Sequence, residues 1–108
     1  MLYTIKITKQ ARDQLREIKK YIANELLAPQ AAYNTIAAIK KKIMSLSKMP
    51  SRIKLTEEEP WHSKGIHKMQ ARNYYVYFWI DEENFFVYIT AVIYVARDQE
   101  AQLKLMDE

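Results

Sequence analysis

The sequence predicts an α+β domain: an N-terminal strand and an antiparallel helical hairpin packed on one face of a mainly antiparallel β-sheet, in the order β-α-α-β-β-β. Three observations carry this. Two stretches, 11–26 and 32–46, repeat aliphatic residues three and four apart. Later stretches are dense in aromatic and β-branched residues, as strands are. The links between them contain no interdomain linker, so residues 1–108 read as a single domain.

Residues 2–7 alternate, with Tyr3, Ile5 and Ile7 on one face and Thr4 and Lys6 on the other, the period of a half-buried strand. Thr8 offers a helix cap. Ala11, Leu15, Ile18, Ile22 and Leu26 then form one helical stripe. Pro29 suits a first helical turn and not an interior, so it ends that helix or opens the next, whose stripe is Ala32, Ile36, Ile39, Ile43 and Leu46. A short link between two amphipathic helices implies an antiparallel hairpin.

Met49–Pro50 closes the second helix. Residues 51–65 hold Pro60 and the only glycine, Gly65, and read as a loop whose acidic run Glu57–Glu59 is expected to be solvated. Residues 66–71 form a short strand with Met69 and Ala71 inward. Residues 73–80 are aromatic and β-branched after Asn73, which suits a strand covered on both faces. Asp81–Asn84 makes a turn, and 85–95 forms the longest strand, placed centrally. Residues 98–106 add either a short helix or an edge strand.

Composition excludes several function classes. There is no cysteine, hence no disulfide framework and no thiolate metal site, and a reducing compartment fits. No stretch approaches the ~20 apolar residues of a membrane span, and Lys6 and Lys9 interrupt any signal-like run. The expectation is a cytoplasmic protein with no membrane partner, no cofactor and no metal. One glycine leaves no phosphate-binding loop, and His62 and His67 lack metal-ligand spacing.

The net charge of +4 is unevenly spread. Residues 1–54 carry twelve Lys or Arg against three acids, a net of +9, while residues 55–108 carry five against ten, a net of −5. A basic half suits an anionic partner, although lysine-rich helix surfaces are common.

The remaining candidates for chemistry are basic and aromatic: Arg52 after the second helix, His67, Lys68 and Arg72 on or beside the second strand, and Tyr94 and Arg97 at the end of the last. Neighbouring antiparallel strands are expected to bring them to one side of the sheet. Arginine and lysine together hold a phosphate through charge-assisted hydrogen bonds. A neighbouring group with a shifted pKa would move the proton for attack of a ribose 2′-OH, and tyrosines would stack on unpaired bases. Taken singly, each of these residues is more often structural.

The C-terminal third runs Arg72-Asn73-Tyr74-Tyr75-Val76-Tyr77-Phe78-Trp79-Ile80-Asp81, then a turn, then Val87 to Tyr94, and ends on Arg97-Asp98. This resembles the RelE/ParE toxins, with their "NYxVxYxID" strand and a last strand ending in a basic "RD" cluster. The first half agrees, with "YTIKIT", "IKKYIANEL", "P-x-AA" opening the second helix and "SLSKMPSR" closing it. The resemblance spans essentially the whole chain and implies the fold reached above.

It also implies the toxin of a type II toxin–antitoxin (plasmid stabilisation or stress) system that arrests growth. A cognate antitoxin would neutralise it, and operator DNA would be bound only through that antitoxin. RelE-like members cleave mRNA on the ribosome without a metal, whereas ParE-like members inhibit DNA gyrase and are not nucleases. Under the nuclease reading, the resemblance assigns Lys68, Arg72 and Arg97 to the scissile phosphate and His67 or Tyr94 to proton transfer. Tyr74, Ala91 and Ala96, however, stand where RelE-like members carry charge, and no tyrosine follows Arg97. The long hairpin and the "RD" ending lean toward ParE-like members. The readings, in order, are a gyrase inhibitor, a ribosome-dependent endoribonuclease, and a weakened toxin acting mainly as an antitoxin-binding autoregulator. Tyr21, Tyr33 and the aromatic strand exceed what so short a chain can hide, so part of that surface is expected to be covered by a partner.

Overall fold

A computed structural model describes residues 2–106. Strand β1 (Thr4–Ile7) is followed by helix α1 (Lys9–Lys20), which runs on through one π turn (Tyr21–Glu25). Helix α2 (Pro29–Met44) returns and tightens into short 3₁₀ turns at Ser45–Ser47 and Pro50–Arg52. Strands β2 (His67–Ala71), β3 (Tyr74–Asp81) and β4 (Phe86–Tyr94) follow, and α3 (Gln99–Leu103) ends the described chain. The four strands lie in the order β1-β4-β3-β2. β2, β3 and β4 form an antiparallel meander, and β1 pairs parallel to β4, which is therefore central.

Local chemistry explains these elements. The Thr8 hydroxyl accepts from the Ala11 amide at 3.3 Å and donates to the Ile89 carbonyl at 2.8 Å, so one side chain caps α1 and ties it to β4. Pro29 occupies the first turn of α2, where its missing N–H costs nothing. The Asp81 carboxylate accepts from the backbone and side-chain amides of Asn84, closing the β3–β4 turn.

The hairpin packs on one face of the sheet. Ala11, Leu15, Ile39, Ile43 and Leu46 meet Met69, Ala71, Val76, Phe78, Val87, Ile89 and Val92 there. Burying a side chain such as Phe78 or Ile39 contributes roughly 1.5–3 kcal/mol. The α1 stripe holds as far as Ile22. Beyond it the π turn adds a residue to the helical repeat and carries Leu26 out to solvent, where the sequence placed it in the core.

The other face is also covered. Trp61 and Ile66 from the 56–66 loop and Leu103 from α3 pack on Tyr77, Ala91 and Ile93. The loop thus supplies Trp61 and Ile66 to a second, smaller core. Its acidic run is only partly solvated, because Glu58 is half-buried and paired with Lys68 at 3.3 Å. A bulge lets β4 serve both layers: Tyr77 pairs with Ala91 and Phe78 with Ile89, leaving Thr90 between them, its hydroxyl donating to the Tyr77 carbonyl at 3.2 Å. Residues 98–106 resolve as a helix, capped by the Asp98 carboxylate accepting from the Ala101 amide at 3.2 Å. Among the described residues, no helix is long and apolar enough to cross a membrane.

Candidate functional site

The fold separates the six candidate residues into groups. Arg52 completes the end of α2. Its guanidinium donates to the carbonyls of Lys48 and Met49 and to the Ser45 hydroxyl, each at 3.2 Å. That is how a basic residue satisfies the open carbonyls at a helix C-terminus.

His67 and Lys68 are neighbours on β2 and so point to opposite faces. The His67 ring stacks on Phe78 at 5.0 Å and 10°, on the hairpin side, and its Nδ1 lies 2.7 Å from the Ile53 carbonyl. The carbonyl is only an acceptor, so Nδ1 carries the hydrogen. Lys68 lies on the other face, its ammonium bonded to Glu58 and 4.2 Å from the centre of the Tyr75 ring. Burial pushes the Glu58 carboxyl up, but hydrogen bonds from Thr56, its own backbone amide and Lys68 outweigh it and leave it below the usual range.

Arg72, Tyr94 and Arg97 do come together, at the opposite end of β2 from His67. Arg72 occupies the two-residue β2–β3 turn with φ 54°. Tyr94 ends β4 directly across from Tyr74, with ring centroids 5.7 Å apart. The Val95 amide donates to the Asn73 carbonyl at 2.9 Å, and the Arg97 amide to the Tyr94 carbonyl at 3.0 Å, so the Arg97 turn abuts the Arg72 turn. Among the described residues, neither guanidinium has a recorded carboxylate or carbonyl partner.

The hairpin tip reaches the same end. The Thr8 amide donates to the Ile89 carbonyl and the Val92 amide to the Gln14 side chain, so α1 advances along β4 toward Tyr94. Burial, with Tyr94 and Tyr21 close by, holds the Tyr74 phenol above its ordinary value of 10, so it stays a protonated donor near neutral pH. Tyr21 and Tyr94 are 55% and 45% exposed, and Leu26 and Leu27 at the tip are 56% and 83% exposed. Leu27 also takes φ 51°, a conformation that favours glycine or asparagine.

Sequence reasoning weighed Tyr74 only as a departure from the RelE-like pattern and did not single out Leu27. The available signal was Leu26-Leu27 standing in a helix–helix link, where turn residues are expected. This end offers aromatic anchors, exposed aliphatics and two arginines, a composition suited to gripping a macromolecular surface. Among the described residues, no group of three or more His, Asp or Glu is placed to hold a metal.

A family model described as the ParE toxin of type II toxin–antitoxin system, parDE, matches residues 5–99. Similar solved structures include the chromosomal ParDE system from P. aeruginosa, at 16% identity over 87% of this chain and 97% of that one, with TM-score 0.72. The RelBE2 toxin–antitoxin complex from Mycobacterium tuberculosis is 24% identical over 90% of this chain and 95% of that one, with TM-score 0.64. A mutant of E. coli toxin RelE in the free state is 16% identical over 94% and 93%, with TM-score 0.64. At these identities the structures bear on the fold alone. No curated protein matches the chain in sequence.

Proposed function

We propose a gyrase-directed growth-arrest role for this chain, which belongs to the ParE toxin family of type II toxin–antitoxin systems. The open end of the sheet, with Arg72, Tyr94 and Arg97 near Tyr21, and the hairpin tip that carries Leu27 beyond it, would bind DNA gyrase. The separation of the charged candidates is the observation that carries this reading. Metal-free cleavage of RNA needs a proton-transfer group within hydrogen-bond reach of the residues holding the phosphate. Here His67 is stacked on Phe78, five residues or about 17 Å along β2 from Arg72, and Lys68 is engaged by Glu58 on the other face, so that Tyr94 is the one proposed proton-transfer group left beside Arg72 and Arg97. A binding surface needs only anchors that share one side.

In this reading a cognate antitoxin holds the toxin inactive in the cytoplasm, and operator DNA is reached through the antitoxin. The ParDE and RelBE systems among the similar structures support such a partner, as do the +9 first half and the exposed Tyr21 and Tyr33.

The test is to induce the chain alone in a bacterial host and to add purified protein to a gyrase supercoiling assay. Filamentation, a DNA-damage response, intact translation and loss of supercoiling are expected. Rapid translation arrest with cuts in ribosome-bound mRNA would replace this reading with the endoribonuclease. Absence of any growth arrest would replace it with the autoregulator.

A further inference from the structure

We infer that Gln99 is a positioning residue for the target surface, a side-chain clamp that fixes the turn carrying Arg97; this rests on the gyrase-binding reading above. Past Tyr94 the chain leaves the sheet, and its carbonyls lose their ladder partners. The Gln99 amide nitrogen takes up that role, donating to the carbonyls of Tyr94 at 2.8 Å and Arg97 at 2.9 Å, with the Val95 carbonyl at 3.5 Å as a weaker third. On the other side, the Gln99 Oε1 accepts from the Tyr77 hydroxyl at 2.8 Å. The network settles the amide orientation, because a flipped amide would set its oxygen against three carbonyls.

Tyr77 is fully buried in the second core, so the clamp anchors an exposed turn to a rigid strand. Backbone bonds hold that turn at two points, the Val95 amide on the Asn73 carbonyl and the Arg97 amide on the Tyr94 carbonyl, and α3 is far too short to persist without docking. Leu103 docks the far end of α3 and the Asp98 cap starts it, but neither touches the 94–97 carbonyls. Gln99 is the described side chain that joins the Arg97 turn to the sheet.

The test compares Gln99→Ala, Arg97→Ala and the double variant of the full chain, reading gyrase inhibition and amide hydrogen exchange across 95–98. Gln99→Ala should raise exchange in that turn about tenfold, with exchange in β3 and β4 unchanged. It should weaken inhibition about fivefold, and by less than twofold when Arg97 is already alanine, because the clamp acts through that side chain. Gln99→Glu keeps the acceptor for Tyr77 but turns an oxygen toward the carbonyls, so it should behave like Gln99→Ala; it also serves if the alanine variant folds poorly.

An equal loss with and without Arg97 would show a general structural role and overturn the clamp, as would unchanged exchange at 95–98. If Arg97→Ala leaves inhibition intact, the positioning role is overturned; if the parent chain does not inhibit gyrase while exchange responds as expected, the clamp on the turn stands and the gyrase-binding reading fails.

Discussion

The two ends of the sheet spend their polar groups differently. At the β3–β4 turn, Asp81 closes the turn, the Tyr3 hydroxyl donates to Glu82 at 2.6 Å, and the Lys6 ammonium lies 4.7 Å from the centre of the Phe86 ring. Nearby, Arg52 is consumed by helix-end carbonyls. At the other end Arg72 and Arg97 have no side-chain ion pair or hydrogen bond among the described residues, and the Tyr94 ring pairs with that of Tyr74. Among the left-handed residues Leu27 stands apart, since even Arg72 has its carbonyl bonded by the Gln70 amide at 3.0 Å. Phe85, at φ 58°, is compensated by edge-to-face packing on Tyr3 at 5.4 Å, and the Met49 carbonyl takes the Arg52 guanidinium. Leu27 has the same strain and is almost wholly exposed. Under the proposed function, this uncompensated strain and exposure belong to the surface offered to the target.

The largest expected effect follows from that asymmetry. Replacing Arg97 or Arg72 with alanine should weaken gyrase inhibition about tenfold to a hundredfold each, the range for an interface hot spot, with little change in thermal unfolding. Arg52→Ala should do the reverse: a loss of about 1 kcal/mol as the α2 end frays, with inhibition within about twofold of the parent. Titration of supercoiling activity beside thermal melts reads both. A large functional loss at Arg52 would break the distinction between the ends.

A smaller and opposite effect is expected at the left-handed positions. Leu27→Gly removes strain and an exposed apolar side chain, so stability should rise by about 0.5–1 kcal/mol while inhibition weakens. Phe85→Gly relieves the same backbone but loses the packing on Tyr3, so stability should fall. Chemical denaturation of the two variants gives the signs. A Leu27→Gly protein that is more stable and equally inhibitory would show that the tip meets no target.

Much of the fold was legible in the sequence because its signals are local. Stripes of aliphatics, Thr8 before a helix and Pro29 at a first turn act within one or two turns of chain. The second core was hidden for the opposite reason. Trp61 sits in a polar loop, and it is buried only because Tyr77, Ala91 and Leu103 arrive from far along the chain. The Thr90 bulge was equally invisible, since in an unbroken apolar run a change of face leaves no change of polarity. Within the candidate site, Arg72, Tyr94 and Arg97 lie at one end of the sheet because each ends a strand or follows one. The place of Lys68 was not legible, because adjacent residues on a strand face opposite ways, and no composition signal says which face a partner such as Glu58 will occupy.

The smallest expected effect concerns that ion pair, which lies at neither end and belongs to the fold alone. The folded Glu58 carboxyl sits below its ordinary 4.5, so the unfolded chain binds its proton more readily. Its contribution is therefore complete above about pH 4.5 and is lost as pH falls through the lower folded value. With both side chains about a quarter exposed, the pair should contribute no more than about 1 kcal/mol. Glu58→Gln should remove that portion of the acid-side slope in unfolding free energy between pH 5 and pH 3 and leave gyrase inhibition at pH 7 unchanged. Asp13, Asp81 and Glu59 are also held low, by hydrogen bonds from Lys9, Asn84 and Ser63 respectively, so a residual slope of the same sign remains in the variant. Increased inhibition in Glu58→Gln would show that freeing the Lys68 ammonium creates a new contact with the target, and would extend the functional surface from the open end of the sheet onto its second face.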